Sequence, residues 1–145
     1  MTAHRSFRRS FDSIQAIFEF SSEFFARHQV DPRLLGTIDL AVEELFTNMV
    51  KYSPAATADV RIDMAKVDGG VEVTMTDYGV EPFDVTQAPE VDTSRPIEER
   101  QPGGLGLHLI RRLVDCLGYE YSMERRESRI RFRKTLAGPP ATGAH

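Results

Sequence analysis

Apolar residues along this chain follow two rhythms in turn. Over residues 13–28, Ile14, Ile17, Phe18, Phe24 and Phe25 recur at helical spacing, which predicts an amphipathic helix. Asp31 and Pro32 then supply a capping side chain followed by a proline suited to a first helical turn. A second helix is expected to run to about Tyr52, with Leu34, Leu35, Ile38, Val42, Leu45, Phe46 and Met49 on one stripe. Pro54 ends it, because proline has no N–H with which to continue the ladder. The period then drops to two. Val60, Ile62 and Met64 alternate with Arg61 and Asp63, and Val71, Val73 and Met75 repeat the pattern, so two strands with one wet face are expected. Asp68, Gly69 and Gly70 between them supply the hairpin turn. A third helix is read over residues 105–117, a closing hairpin over 119–123 and 130–132, and a short edge strand over 6–11.

Strand, helix, helix, strand, strand, loop, helix, strand, strand is the order of an α+β fold. It predicts a two-layer α/β sandwich: a mixed, mostly antiparallel sheet with helices packed on one face. Residues 1–136 are read as one domain, and residues 137–145, rich in Pro, Gly and Ala, as a disordered tail. Residues 83–104 carry prolines and acids without periodicity. A loop that long inside a small domain is usually functional, so a lid is expected there.

Composition narrows the partners. The 145 residues hold 18 basic and 22 acidic side chains, a net charge of −4, which argues against direct nucleic-acid binding. No apolar run approaches the length needed to span a bilayer, and the N-terminus lacks the apolar stretch of a signal peptide, so no membrane contact and a cytoplasmic location are expected. The single cysteine, Cys116, permits no internal disulfide, and its apolar neighbours place it in the core. Arg125, Arg126, Arg129, Arg131 and Arg133 cluster in the final hairpin. They read first as a solvated face protecting a sheet edge, and second as a contact surface for an acidic partner.

Three segments carry candidate chemistry. On the second helix, about 100° per residue puts Glu44, Asn48 and Lys51 on one stripe bordering the apolar face, with Glu43 turned toward solvent. An amide oxygen suits magnesium, and a carboxylate one turn away can take a proton from a hydroxyl; taken alone, such a stripe is also an ordinary charged helix flank. Asp77-Tyr78-Gly79 follows the strand at residues 71–76. The aspartate can accept from an exocyclic amine and the glycine permits close backbone approach, although both are also common turn residues. Gly103-Gly104-Leu105-Gly106-Leu107 opens an amphipathic helix, where free N–H groups favour phosphate. No Lys-Ser/Thr follows, so it is not a P-loop, and it follows a loop, so it is not a Rossmann turn.

Together, ELFTN, DYG and GGLGLHLI, in this order with a lid-like loop before the last, resemble the N, G1 and G2 boxes of the GHKL (Bergerat-fold) ATPase superfamily. Within it, the chain most resembles the stand-alone anti-sigma-factor serine/threonine kinases. The resemblance implies ATP and Mg2+ as cofactors, Glu44 as general base, Asn48 as magnesium ligand, and Asp77 reading the adenine amine with support from Gly79. Gly104 and Gly106 would cradle phosphates, with Lys51, Phe83, Gly103, Leu105 and Leu107 completing the nucleotide-binding set. It also implies partner switching: an anti-anti-sigma (STAS-type) protein as phosphate acceptor, a sigma factor as competing partner, and a homodimer. Glu81 stands where the G1 box usually has a second glycine, and Tyr52 where these kinases often have histidine. NMVKYSP looks like the N box of sensor histidine kinases, but the stretch before it holds only His4 and His28, the latter suited to packing or capping. The alternative is a non-catalytic ATP-binding interaction module; a pure binding module has no need of Glu44.

Overall fold

The computed structural model describes residues 2–87 and 104–138. Five strands and three α-helices form two layers: β1 (Thr2–Phe7), α1 (Ile14–Arg27), α2 (Leu35–Tyr52), β2 (Val60–Val67), β3 (Gly70–Tyr78), α3 (Gly104–Leu113), β4 (Cys116–Ser122) and β5 (Glu127–Thr135). The sheet order is β1-β2-β3-β5-β4, and among the described residues all four pairings are antiparallel where a mixed sheet is expected. Alternation puts Val60, Ile62, Met64, Val71, Val73, Met75, Ile130 and Phe132 on one buried face. Ile38, Val42, Leu45 and Phe46 of α2, Ile17 and Phe24 of α1, and Leu107 and Ile110 of α3 complete the same core. Each large apolar side chain buried there contributes about 1.5–3 kcal/mol.

Local chemistry explains the boundaries. Asp31 accepts from the Arg33 N–H at 2.9 Å and Pro32 opens a 3-10 turn (Pro32–Leu34) that runs into α2. Gly69 takes φ +76° in the β2–β3 hairpin, a conformation that favours glycine. Gly70 is required for a different reason: a Cβ there would overlap the backbone of Lys134 and Thr135 on β5. Gly70→Ala is expected to force β3 from β5 and to destabilise the fold by about 1–3 kcal/mol, as overpacking does. Urea denaturation showing an unchanged midpoint would contradict this.

Five expectations are corrected. The first strand lies at Thr2–Phe7, and the chain from Phe11 to Ser13 is a 3-10 turn. In α1, Phe20 fills the core against Phe7, with ring centroids 5.7 Å apart, while Phe18 is only half-buried. α3 ends at Leu113, and Cys116 opens β4 as an exposed residue instead of packing in the core. The arginine-rich β5 is no edge: it sits between β3 and β4, and Arg133 and Arg129 pair with Glu72 and Glu127 at 2.9 and 3.2 Å. The lid reading falls mostly on residues 88–103 and the tail reading mostly on 139–145, both outside the described residues. No helix among the described residues is long and apolar enough to cross a membrane.

Candidate functional site

The site is assembled where α2 crosses the ends of β3 and β5. Asn48 faces inward from α2 with its residue only 6% exposed, and its amide nitrogen has no hydrogen-bond partner among the described residues. A buried orphaned donor costs about 1–3 kcal/mol. A ligand oxygen at this position would offset that cost. Asp77 ends β3 opposite Ser128 of β5 and is 2% exposed. Asn48, Asp77, Tyr52, Glu81 and Phe83 line one pocket, floored by apolar residues including Leu45 and Ile130. Tyr52 and Phe83 stand at its rim, exposed, with ring centroids 6.3 Å apart. The pocket combines an apolar floor with the polar groups of Asn48, Asp77, Glu81 and Ser128.

The segment that leaves β3 is tied down by hydrogen bonds. Gly79 takes φ +67°, which turns the chain along the pocket wall. The Tyr121 hydroxyl donates to the Val80 carbonyl at 2.6 Å, and the Phe83 N–H donates to the Tyr119 hydroxyl at 3.0 Å. Burial pushes the Tyr119 hydroxyl above its ordinary pKa. Glu81, at the position of the second G1 glycine, pairs with Arg126 at 2.7 Å, and the Val80 N–H donates to the Arg126 carbonyl at 3.0 Å. The substituted residue thus anchors the wall to the β4–β5 turn.

Glu44 lies half-buried one turn before Asn48. Its carboxyl occupies the space that a Cβ would take at Gly106, in the first turn of α3. Glu44 is therefore placed against the first turn of α3. Glu43 is half-buried and does not point freely to solvent: its charge, with burial as the larger cause, raises the pKa of Asp39 one turn earlier. Lys51 is exposed and does not line the pocket. The Leu107 side chain is wholly in the core, which leaves only its backbone available to a ligand. Gly104 begins α3, while Gly103 lies outside the described residues. Leu105 is in the first turn of α3.

Sequence reasoning missed Arg9. Its guanidinium, with the side chain 6% exposed, forms an ion pair with Asp77 through Nη2 and donates to the Met49 carbonyl at 3.0 Å through Nη1. Burial raises the Asp77 pKa above the ordinary carboxylate value, while the Arg9 hydrogen bond and charge and the Tyr78 backbone N–H act the other way. The only signal available in sequence was indirect: a carboxylate buried at a strand end requires a cation.

An antiparallel sheet with three helices on one face, and a pocket between a strand-end aspartate and an inward helix asparagine, define a Bergerat-type ATPase sandwich. The chain belongs to the histidine kinase-like ATPase domain family, whose profile matches residues 7–134. It is 29% identical over 96 residues to the serine/threonine-protein kinase BtrW of Bordetella bronchiseptica, covering 65% of this chain and 67% of that one. It is 33% identical over 82 residues to the serine-protein kinase RsbW of Halalkalibacterium halodurans, covering 54% of this chain and 50% of that one. In structure it is similar to the RsbU and RsbW domains of a Mycobacterium tuberculosis protein, with TM-score 0.65 at 14% identity, over 93% of this chain and 32% of that one.

Proposed function

We propose that this chain is an ATP-dependent serine/threonine protein kinase that acts as an anti-sigma factor. It transfers phosphate to a hydroxyl on an anti-anti-sigma (STAS-type) protein and binds a sigma factor as the competing partner. The observation that carries this reading is the placement of Glu44. Its carboxyl packs against Gly106 at the start of α3, one helical turn from Asn48, which lines the pocket together with Asp77. The kinase names of BtrW and RsbW support the reaction class. The resemblance to anti-sigma kinases supports a homodimer in the cytoplasm.

In this reading the adenine of ATP enters the pocket whose rim Tyr52 and Phe83 form, with its amine donating to Asp77. The phosphates extend toward the first turn of α3, where unpaired N–H groups and the helix dipole favour negative charge. Glu44 takes the proton of the acceptor hydroxyl, whose oxygen bonds to the γ-phosphorus as the bond to the β–γ bridging oxygen breaks and ADP leaves. In this reading the amide oxygen of Asn48 would hold magnesium, whose charge would offset that of the phosphates.

Asn48→Ala is expected to lower ATP affinity about tenfold in the presence of magnesium and to lower the magnesium-free affinity less. The fold should tolerate the change, because the amide nitrogen has no protein partner to lose. Calorimetry giving equal affinities for both proteins, with and without magnesium, would remove Asn48 from the site.

A further inference from the structure

Arg9 is a cation that the proposed reaction does not use, buried where it has little reason to be unless it serves Asp77. It follows β1 in the chain, yet its guanidinium reaches across to the end of β3 and to α2 at once. Asp77 lines the base-binding pocket and Arg9 does not, so Arg9 approaches the carboxylate from behind. Its Nε has no partner among the described residues. Two of its nitrogens therefore hold the whole group: one on Asp77 Oδ1, the other on the Met49 carbonyl one residue after Asn48.

The geometry points to Arg9 as a positioning residue for base recognition: we propose that it holds the Asp77 carboxylate in its charged form and turned into the pocket. The inference rests on the reading of Asp77 as the adenine contact. Only an ionised carboxylate purely accepts, and so selects the amine of adenine. A protonated one can donate, and so tolerates the carbonyl that guanine carries at that position. Burial works against ionisation here, and Arg9 is the cation facing Asp77. The other neighbours do not take its place. Asn48 of α2 and Ser128 of β5 are neutral; Tyr52 of α2 and Glu81 after β3, which share the pocket, and Glu44 of α2, near Tyr52, bring no positive charge.

The test is ATP and GTP affinity by calorimetry across pH for wild type, Arg9→Gln, Arg9→Lys and Asp77→Asn, each with its melting temperature. In wild type, ATP preference should fade as pH drops through the raised pKa of Asp77. Arg9→Gln keeps hydrogen bonding but removes the charge, so that midpoint should move up by about 1–3 pH units, with ATP preference lost below it. Arg9→Lys keeps the charge without the fork, so the midpoint should stay while ATP affinity and preference fall about threefold to tenfold. A residue that only stabilised the fold would lower both affinities together and leave the midpoint in place. Arg9→Gln with the wild-type midpoint would overturn the proposal. Should that variant not fold, Arg9→Lys with wild-type affinity and preference would do so. If Asp77→Asn itself leaves base preference unchanged, the adenine reading fails and not merely the part given to Arg9.

Discussion

Glu44→Gln is expected to lower phosphate transfer to a cognate STAS-type domain by about 10²–10⁴-fold while ATP affinity stays within about threefold of wild type. Glutamine keeps the size and hydrogen-bonding capacity of the side chain but cannot take a proton at neutral pH. In the proposed reading the nucleotide is held by the pocket at Asp77 and Asn48, neither of which the substitution touches. Glu43→Gln is the control. Glu43 is the adjacent carboxylate, but the helix turns it toward Asp39, whose own neighbour is Ser21 of α1, and away from the α3 side where Glu44 meets Gly106. Its loss should change transfer little. The measurement is paired: calorimetry for ATP and transfer from labelled ATP for each variant. If Glu43→Gln is the inactive one, the proton acceptor has been misplaced. If wild type binds a sigma factor but transfers phosphate to none of its cognate domains, the chain is a nucleotide-binding interaction module.

Where one face of an element is buried, its period is visible in sequence, and those elements were legible. α2, β2 and β3 lie against the core along their length, so their apolar stripes match the buried residues closely. β1 is an edge strand with Phe7 as its one fully buried residue, so nothing alternates and the strand was placed four residues too late at its start. α3 was read too long because Val114, Cys116 and Leu117 continue a helical spacing. What ends it is a long-range contact: the Asp115 carboxylate accepts from the N–H and hydroxyl of Thr135 at 3.0 and 2.7 Å, which starts β4 alongside β5. The site divides in the same way. Glu44 and Asn48 are one turn apart on a helix, and Asp77 ends a strand whose period is plain, so each was visible locally. Arg9 is 68 residues from Asp77 in the chain, and nothing local marks it. Gly106 was visible as a glycine, but its closest neighbour was not: sequence reasoning assigned it to phosphate, whereas its missing side chain leaves the space that Glu44 fills.

That contact makes Gly106→Ala a sharp test of the site. The added methyl would land on the carboxyl end of Glu44, a flexible side chain and not backbone, so the helix need not move. Glu44 must swing out instead. Alanine is the better helix former by about 1 kcal/mol, so the fold should be as stable as wild type or slightly more so. Transfer, in contrast, is expected to drop by about 10²-fold or more, because a general base displaced by an ångström or two no longer reaches the hydroxyl proton. The double variant Gly106→Ala/Glu44→Gln separates this from a second, independent effect on phosphate binding. If Gly106 matters through Glu44, the double variant transfers no more slowly than Glu44→Gln alone, since groups that act as a unit are lost only once. If the two losses multiply, and ATP affinity falls with them, Gly106 serves the phosphates directly and the placement of Glu44 against it is incidental. Thermal melts beside the transfer assay complete the measurement: a large fall in melting temperature for Gly106→Ala would mean that α3, not Glu44, gave way.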